Sequence, residues 1–405
     1  MFTDIGPHPS AAMPKLLILT CRFGMGHYSA AASLAQDISS QNPNSHVMIC
    51  DIYEKAFPRT CPAIYEAYSL LAGKGWAIYN LAYKKTTAYR RQGDSADLGR
   101  LRRILLKALS DIIEEFQPDM IISTYSLCSM LTSCYKAESK SAVPLITYIT
   151  DITSHNVWIN DYTDYYFVAD KTTRLELIGQ GVSARKIVVS GIPVKKEFKK
   201  LTAQGCASLE TAGKNSGTQT AGAQKRELLV MGGGLGLLPE SRDFYVRLNG
   251  EPGLHTTVIT GKNRRLYRKL AGRYENITVL GYTDEVYRYM SKAHLLLSKP
   301  GGITLFEAVY AGLPLASFTP LLKQEMANGA FIRDKGLGIL LDKNPAKAAE
   351  ELIALLKDRQ ALAEMQKNMK QLKAGMQTGD FLQLLASLEA GSGYEENGIQ
   401  EAFAC

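Results

Sequence analysis

LLILTCRFGMGHYSAAA, residues 16–32, joins a short apolar run to a glycine-containing loop and then to a stretch rich in alanine. The run at 16–20 is apolar throughout up to its final threonine, as expected for a strand that a parallel sheet buries on both faces. The glycines at 24 and 26 permit a tight turn, and the alanine-rich stretch favours a helix. The segment therefore predicts a β-α unit of an α/β domain.

The same alternation of apolar runs and amphipathic stretches continues along the chain. In the first half the predicted strands are LLILT (16–20), HVMICD (46–51), MIIST (120–124), LITYIT (145–150), YYFVA (165–169) and KIVVSG (186–191). In the second half they are ELLVMGG (227–233), HTTVITG (255–261), ITVLGY (277–282), HLLLSKPGG (294–302) and LPLASFTP (313–320). The pattern predicts two Rossmann-like domains of α/β class.

The domain boundaries follow from composition. Residues 202–224 are poor in large apolar side chains and rich in Gly, Ala, Ser and Thr, which predicts a flexible linker. The first domain then spans residues 1–201, and the second spans 225–390 and ends in helices. Residues 391–405 are predicted to form a frayed tail.

Composition excludes several classes of protein. With 405 residues, 46% hydrophobic and 21% charged, the chain can bury sizeable cores and is neither disordered nor fibrous. Its 7 cysteines form no C-x-x-C pair and predict reduced thiols in a cytosol. The polar start resembles no secretion signal, and no apolar run approaches the roughly 18 residues of a transmembrane helix. Any contact with a membrane is therefore expected at its surface.

Positive charge is concentrated in one region. Between Lys74 and Lys107, nine basic residues against two acidic ones account for +7 of the chain's net +8. The basic and aromatic residues that we assign to a membrane surface are Trp76, Lys84, Lys85, Arg90, Arg91, Arg100, Arg102 and Arg103. This mixture suits the interface of an anionic bilayer. A nucleic-acid patch would use the same ingredients, and a solvated basic face is the plain structural alternative.

His27 is the first candidate for chemistry. It follows the loop after the first strand and opens a helix, where unpaired N–H groups can face a ligand. The positive end of the helix dipole disfavours imidazolium, so His27 could act as a neutral general base. A dinucleotide site is the alternative, since Asp51 ends the second strand, although Ser29 replaces the third glycine. A capping or merely solvated histidine is the structural alternative.

SKPGGITLFEA (298–308) is the second candidate. Gly301 and Gly302 could form a diphosphate cradle of backbone amides, with the Thr304 hydroxyl as a further donor. Glu307 could accept hydrogen bonds from both ribose hydroxyls of a nucleotide. Thr304 and Glu307 also fit a capping box, which requires no ligand.

Weaker signals follow in the second half. Gln324 and Asn328 are four residues apart, share one face of a helix and could present amides to sugar hydroxyls. Glycines at 232–234 and the ring of Tyr282 could support a nucleotide. The chain contains no D-x-D triplet, no histidine pair at metal spacing, no P-loop and no G-x-S-x-G elbow. A metal-held diphosphate, an NTPase and a serine hydrolase are therefore not expected.

Taken together, these motifs resemble the family of diacylglycerol glucosyltransferases and monogalactosyldiacylglycerol synthases, relatives of the peptidoglycan lipid-linked N-acetylglucosamine transferase. The matching segments are FGMGHYSAA (23–31), TDITSHNVWINDYTDYYFVA (150–169), SGIPV (190–194), MGGGLGLLPE (231–240), ITGKNRRLY (259–267), VLGYTDEVYRYM (279–290), SKPGGITLFEA (298–308) and PLLKQEMAN (320–328). The resemblance implies a GT-B fold, in which two Rossmann-like domains face each other across a cleft. It also implies inverting, metal-independent transfer from a UDP-sugar without a cofactor.

The resemblance assigns roles to particular residues. His27 would be the catalytic base, and the acceptor side of the cleft would be lined by Gly24, Gly26, Asp151 and His155. The donor-binding residues would be Gly233, Gly234, Lys262, Asn263, Tyr282, Gly301, Gly302, Thr304, Glu307, Gln324, Glu325 and Asn328. The plant-type branch has an aspartate five residues before the histidine, and Arg22 stands there in this chain. A carboxylate base at that position is therefore excluded.

The expected activity is transfer of glucose or galactose from a UDP-sugar to diacylglycerol or a related lipid. The expected location is the cytoplasm, with the protein peripheral on the inner face of the cell membrane. Its expected partners are the UDP-sugar, the lipid acceptor and an anionic membrane surface, and not nucleic acid. Transfer of N-acetylglucosamine to another lipid and a non-catalytic lipid- or nucleotide-sensing module are the alternatives.

Overall fold

The computed structural model describes residues 13–23, 25–74, 96–153, 155–201, 226–320, 323–377, 379 and 381–389. The predicted linker at 202–224 and the predicted tail at 391–405 lie outside these residues. So do Gly24, Trp76, Lys84, Lys85, Arg90 and Arg91.

The first half of the chain forms a parallel sheet of six strands. They are β1 (Lys15–Thr20), β2 (His46–Asp51), β3 (Met120–Ser123), β4 (Leu145–Tyr148), β5 (Tyr165–Val168) and β6 (Ile187–Val189). The order across the sheet is β2-β1-β3-β4-β5-β6. Leu17 on β1 is fully buried and lies beside Met48 and Ile121 on the neighbouring strands. Every predicted strand of this half is confirmed.

Helices cover this sheet. They are α1 (Gly26–Gln41), α2 (Ile52–Ala56), α3 (Cys61–Lys74), α4 (Ala96–Phe116), α5 (Ser126–Ser139), α6 (Lys171–Gly179) and α7 (Lys196–Lys199), with short 3₁₀ helices at Asn156–Trp158 and Ala184–Lys186. On α4 an apolar stripe is buried, with Leu105 1%, Leu109 0% and Ile112 2% exposed. Helical spacing places these side chains on one face, and that face packs on the sheet.

The second half forms another parallel sheet of six strands. They are β7 (Arg226–Met231), β8 (Leu254–Ile259), β9 (Ile277–Leu280), β10 (Leu295–Ser298), β11 (Leu315–Phe318) and β12 (Gly338–Leu341), in the order β12-β11-β10-β7-β8-β9. The helices are α8 (Arg242–Gly250), α9 (Arg264–Leu270), α10 (Val286–Met290), α11 (Gly302–Ala311), α12 (Lys323–Asp334), α13 (Pro345–Lys357), α14 (Arg359–Ala374) and α15 (Phe381–Glu389). The two sheets confirm the predicted α/β architecture.

Strand β12 is the element that the sequence pattern missed. It is four residues long and begins with a glycine, which lowers its strand propensity. A Cβ atom on Gly338 would lie 1.9 Å from the carbonyl oxygen of Leu315 on β11. Only glycine permits this approach, so pairing with β11 determines the strand.

Each sheet changes its winding direction once. In the first sheet β2 and β3 lie on opposite sides of β1, and in the second sheet β8 and β10 lie on opposite sides of β7. Ligands of open α/β sheets bind in the crevice at the carboxyl ends of the strands where this reversal occurs. The fold therefore predicts ligand binding near the loops that follow β1, β3, β7 and β10.

The two halves share a hydrophobic core. Ile192 and Phe198 from the first half belong to the same buried cluster as Leu305 and Phe306 from α11. At its C-terminal end the chain returns to the first sheet, where Phe381 of α15 lies 5.6 Å from the ring of Phe167. Helix α15 thus packs on the first sheet although it follows the second in sequence.

Candidate active site

His27 lies at the switch point of the first sheet. It stands in the first turn of α1, after the loop from β1, and reaches the chain beyond β3. Its Nδ1 is 3.0 Å from the carbonyl oxygen of Thr124 and 2.7 Å from the hydroxyl of Thr150. A carbonyl oxygen can only accept, so we assign the proton of the neutral ring to Nδ1. The Nε2 lone pair is then available to take a proton.

Burial keeps this imidazole neutral. Loss of hydration lowers the pKa of His27 below its ordinary 6.5, and the nearby carboxylate of Asp151 opposes the change without reversing it. The neutral form was predicted from the helix dipole, but burial is the leading cause.

Met25, the residue before α1, has a φ of 62°, so this loop holds a non-glycine residue in the left-handed region.

Asp151 and His155 both accept hydrogen bonds from a buried tryptophan. The Nε1–H of Trp158 donates to Asp151 Oδ2 at 2.9 Å, and the Trp158 amide donates to the His155 carbonyl oxygen at 2.9 Å. Trp158 is 1% exposed, and its ring centroid lies 6.3 Å from that of His27. These contacts hold the segment after β4 against the histidine and fix the orientation of the Asp151 carboxylate.

The first turn of α11 forms the second part of the site. The helix begins at Gly302, and Gly301 is its N-cap with no side-chain cap. The amides of this first turn have no acceptor within the helix and can face an anion. Thr304 is the third residue of the helix rather than its N-cap, so the capping-box interpretation of Thr304 and Glu307 is wrong.

Glu307 lies in the next turn of α11 and is partly buried. Loss of hydration raises the pKa of its carboxyl group to about 8, although Lys195 acts in the opposite direction. Within the described ranges no hydrogen bond to this carboxyl group is found. A desolvated acceptor of this kind can receive two hydroxyl groups of a ligand.

The two parts of the site meet directly. A Cβ atom built on Gly302 would lie 3.0 Å from the carbonyl oxygen of Thr150, whose hydroxyl contacts His27. A Cβ atom on Gly26 would lie 3.8 Å from Cγ1 of Ile303. Segments from different halves of the chain therefore adjoin across the domain boundary. Nε2 of His27, which can accept a proton, thus belongs to a side chain that adjoins helix amides able to face an anion.

The glycine loop after β7 packs against the loop after β8. Lys262 donates its amide to the carbonyl oxygen of Gly234 at 3.0 Å, and Gly233 has a φ of 66°. Asn263 Nδ2 donates to the Gly236 carbonyl oxygen at 3.1 Å, while its Oδ1 accepts from the Leu266 amide at the start of α9. The side chain of Asn263 thus joins the two loops and caps a helix.

Of the remaining predicted donor-binding residues, Asn328 and Glu325 contact the loop after β10, whereas Tyr282 follows β9 at the edge of the second sheet. Asn328 donates to the Pro300 carbonyl oxygen at 2.8 Å, and Glu325 pairs with Lys299 at 2.7 Å. Tyr282 is 59% exposed, and its hydroxyl donates to Asp284 at 2.8 Å. The side chain of Gln324 lies outside the described residues. Asn328 and Glu325 therefore hold the loop after β10 in place.

Comparison with known proteins gives matches along most of the chain. The monogalactosyldiacylglycerol (MGDG) synthase model matches residues 27–194, and the glycosyltransferase family 28 C-terminal domain model matches residues 240–382. The chain is a glycosyltransferase whose first half matches the MGDG synthase family and whose second half matches the glycosyltransferase family 28 C-terminal domain. This confirms the family resemblance in both halves, and the first match begins at His27.

Curated relatives of this glycosyltransferase match over nearly their whole length. The processive diacylglycerol β-glucosyltransferase of Bacillus subtilis (strain 168) is 26% identical over 371 residues, which cover 88% of this chain and 91% of that protein. The protein of the same name from Bacillus cytotoxicus is 29% identical over 363 residues, with 88% and 89% covered.

Solved structures share the fold of this glycosyltransferase. MurG of Acinetobacter baumannii superposes with a TM-score of 0.56 at 14% identity, covering 93% of this chain and 100% of that one. UDP-GlcNAc 2-epimerase of Neisseria meningitidis, solved with UDP-GlcNAc, gives 0.54 at 15% identity, with 93% and 100% covered. One architecture carries more than one reaction here, so these likenesses establish the fold alone.

Three residues of the site were missed by sequence reasoning. Thr150 joins His27 to the α11 cradle, Trp158 holds Asp151, and Lys299 pairs with Glu325. All three stand inside segments that already carried the family resemblance. The contacts of Thr150 and Lys299 join residues 123 and 26 positions apart, and the contact of Trp158 with Asp151, seven positions away, lies in an irregular segment, so no regular spacing in the sequence indicates them.

Proposed function

We propose that this chain transfers glucose or galactose from a UDP-sugar to diacylglycerol or a related membrane lipid. Family membership and the names of the curated relatives support the substrates. The observation that carries the proposal is the contact of Thr150 with both His27 and the first turn of α11. This contact supports the proposal, because it would bring a proton acceptor next to an anion cradle at the switch points of two sheets.

The donor would bind mainly to the second domain. Amides of the first turn of α11 would donate hydrogen bonds to the diphosphate, and the Thr304 hydroxyl would add a further donor. Glu307 would hold the ribose, because its carboxyl group is desolvated and has no hydrogen bond within the described residues. Tyr282, with its exposed ring, would cover the uracil, and Glu325 and Asn328 would line the hexose side with Gln324.

The acceptor would be activated by His27. The lipid hydroxyl gives its proton to Nε2 of His27 while its oxygen forms a bond to the anomeric carbon. The bond from that carbon to the β-phosphate oxygen breaks, and its electron pair leaves on UDP. Attack opposite the leaving group inverts the anomeric centre. Helix amides stabilise the departing diphosphate, so the step is expected to proceed without a metal.

The membrane would be reached through the basic region near α4. Among the described helices, none is long and apolar enough to cross a bilayer. Arg100, Arg103 and Lys107 are exposed and lie on one face of α4, whereas Arg102 donates to the sulfur of Cys134 at 3.1 Å. Arg100 and Arg103 are therefore the described arginines that suit contact with anionic lipid on the inner face of the cell membrane.

Neutralising this face tests the membrane proposal. The double variant Arg100→Gln, Arg103→Gln is expected to weaken binding to phosphatidylserine vesicles by roughly 30-fold at low salt, since each basic residue contributes about 1 kcal/mol. Vesicle sedimentation measures the change. Lys343→Gln with Lys347→Gln, on the exposed face before and along α13, is the matched control. Equal loss in both double variants would indicate a general charge effect and contradict the proposal.

The activity itself is tested by UDP release. UDP-glucose, UDP-galactose and UDP-N-acetylglucosamine are each incubated with and without diacylglycerol in anionic vesicles, and the glycolipid is followed by mass spectrometry. Lipid-dependent release with glucose or galactose is the expected result. Release only with UDP-N-acetylglucosamine would show that the donor is UDP-N-acetylglucosamine and not UDP-glucose or UDP-galactose. UDP binding without product for any acceptor would favour a sensing module.

A further inference from the structure

Lys299 lies at the switch point of the second sheet, in the loop after β10 and beside the loop after β7. It is the first residue after β10, and its carbonyl oxygen accepts from the Gly301 amide at 2.8 Å. A Cβ atom on Gly233 would lie 3.2 Å from Cε of Lys299. The aliphatic part of the Lys299 side chain therefore passes over the glycine loop after β7, next to the first turn of α11. Gly233 leaves room for it because glycine has no side chain.

The ammonium group is held by one carboxylate and remains accessible. Nζ lies 2.7 Å from Oε1 of Glu325 on α12, whose side chain is 11% exposed, whereas the Lys299 side chain is 34% exposed. An ammonium group has three N–H donors, and within the described residues one of them is used by Glu325. Donors remain for a ligand in the crevice.

We propose that Lys299 is a catalytic residue that binds the diphosphate of the donor and neutralises the charge that UDP gains on leaving. The inference rests on the proposed transfer and adds a residue to it. Backbone amides carry only partial charge, whereas an ammonium group carries a full positive charge into a site of low dielectric. Glu325 orients Lys299 before the donor arrives.

A purely structural role makes a different prediction. If Lys299 only neutralises Glu325, removal of both charges together restores the site. If Lys299 binds the diphosphate, the loss persists after Glu325 is neutralised. The two roles also differ in the ligands that they affect. A contact with the diphosphate contributes to UDP binding and not to uridine binding, because uridine lacks phosphate, whereas UMP has a single phosphate.

Titration calorimetry with uridine, UMP and UDP tests the inference on full-length protein. Lys299→Met is expected to weaken UDP binding about tenfold, in line with loss of one charge-assisted hydrogen bond, and to leave uridine binding unchanged. Lys299→Arg is expected to recover part of the UDP affinity, because it keeps the charge. Lys347→Met, on the exposed face of α13, is the matched control and is expected to bind all three ligands normally.

A double variant separates binding from folding. Lys299→Met with Glu325→Gln leaves no unpaired carboxylate and is expected to show the same loss for UDP and none for uridine. Full recovery of UDP affinity in this double variant would overturn the inference, as would equal weakening of uridine and UDP in Lys299→Met. Wild-type protein that binds no UDP would overturn the proposed function as well, so the two failures are distinguishable.

Discussion

Replacement of His27 by alanine is expected to lower kcat by roughly 10²- to 10⁴-fold, the usual contribution of a general base. The lipid hydroxyl then has no acceptor for its proton, because Nε2 is the ring nitrogen left free when Nδ1 donates to the Thr124 carbonyl oxygen. UDP affinity is expected to remain, since we propose that the donor binds mainly to the other domain. Steady-state kinetics and UDP titration measure the two quantities separately.

His46→Ala is the matched control for this variant. His46 is exposed at the start of β2 and packs edge-on against Phe116, away from the cleft. It should retain activity. If His27→Ala keeps wild-type kcat while binding UDP normally, His27 is not the base, and the acceptor is activated by another group.

The pH dependence gives an independent test of the same role. The base acts only in its neutral form, so the rate falls as pH decreases through the pKa of His27. Because burial lowers that pKa, the acid limb of kcat/KM is expected below pH 6.5. Asp151 raises the pKa, so Asp151→Asn should move the limb further toward acid. A limb that stays in place in this variant would contradict the assignment.

Glu307→Ala is expected to weaken UDP binding by about 1–3 kcal/mol, or roughly 5- to 150-fold, through loss of two hydrogen bonds from the ribose. Titration at a pH above 8 is the suitable measurement, because the carboxyl group has a pKa of about 8 in the free protein. Glu364→Ala, on the exposed surface of α14, is the control. Unchanged UDP affinity in Glu307→Ala would remove Glu307 from the ribose site.

The stability of Glu307→Gln tests its burial. A carboxyl group whose pKa is raised on folding stabilises the native state in its protonated form. That stability is complete below pH 4.5 and is lost as pH rises toward 8. Glutamine cannot ionise, so the difference in Tm between Glu307→Gln and wild type should increase in favour of the variant across this range. A constant difference would show that Glu307 is well hydrated in the folded protein.

The sequence by itself determined the architecture and the location of the motifs. Short apolar runs such as LLILT (16–20) predict buried strands, and glycines at their ends predict ligand loops, because both signals are local features of the sequence. The alternation of strands and helices then requires parallel sheets. His27, Gly302 and Glu307 could be singled out because each stands at a strand end or in the first turns of a helix.

Only the tertiary structure decided which of these residues lie close together. The contact from His27 through Thr150 to Gly302 crosses the domain boundary, so it depends on how two sheets pack and not on spacing along the chain. The same holds for the lowered pKa of His27 and the raised pKa of Glu307. The main cause of both changes is burial by elements that are distant in sequence. Strand β12 likewise exists because Gly338 can approach Leu315 on its neighbour. Local pattern determines elements, whereas desolvation and close packing depend on the whole fold.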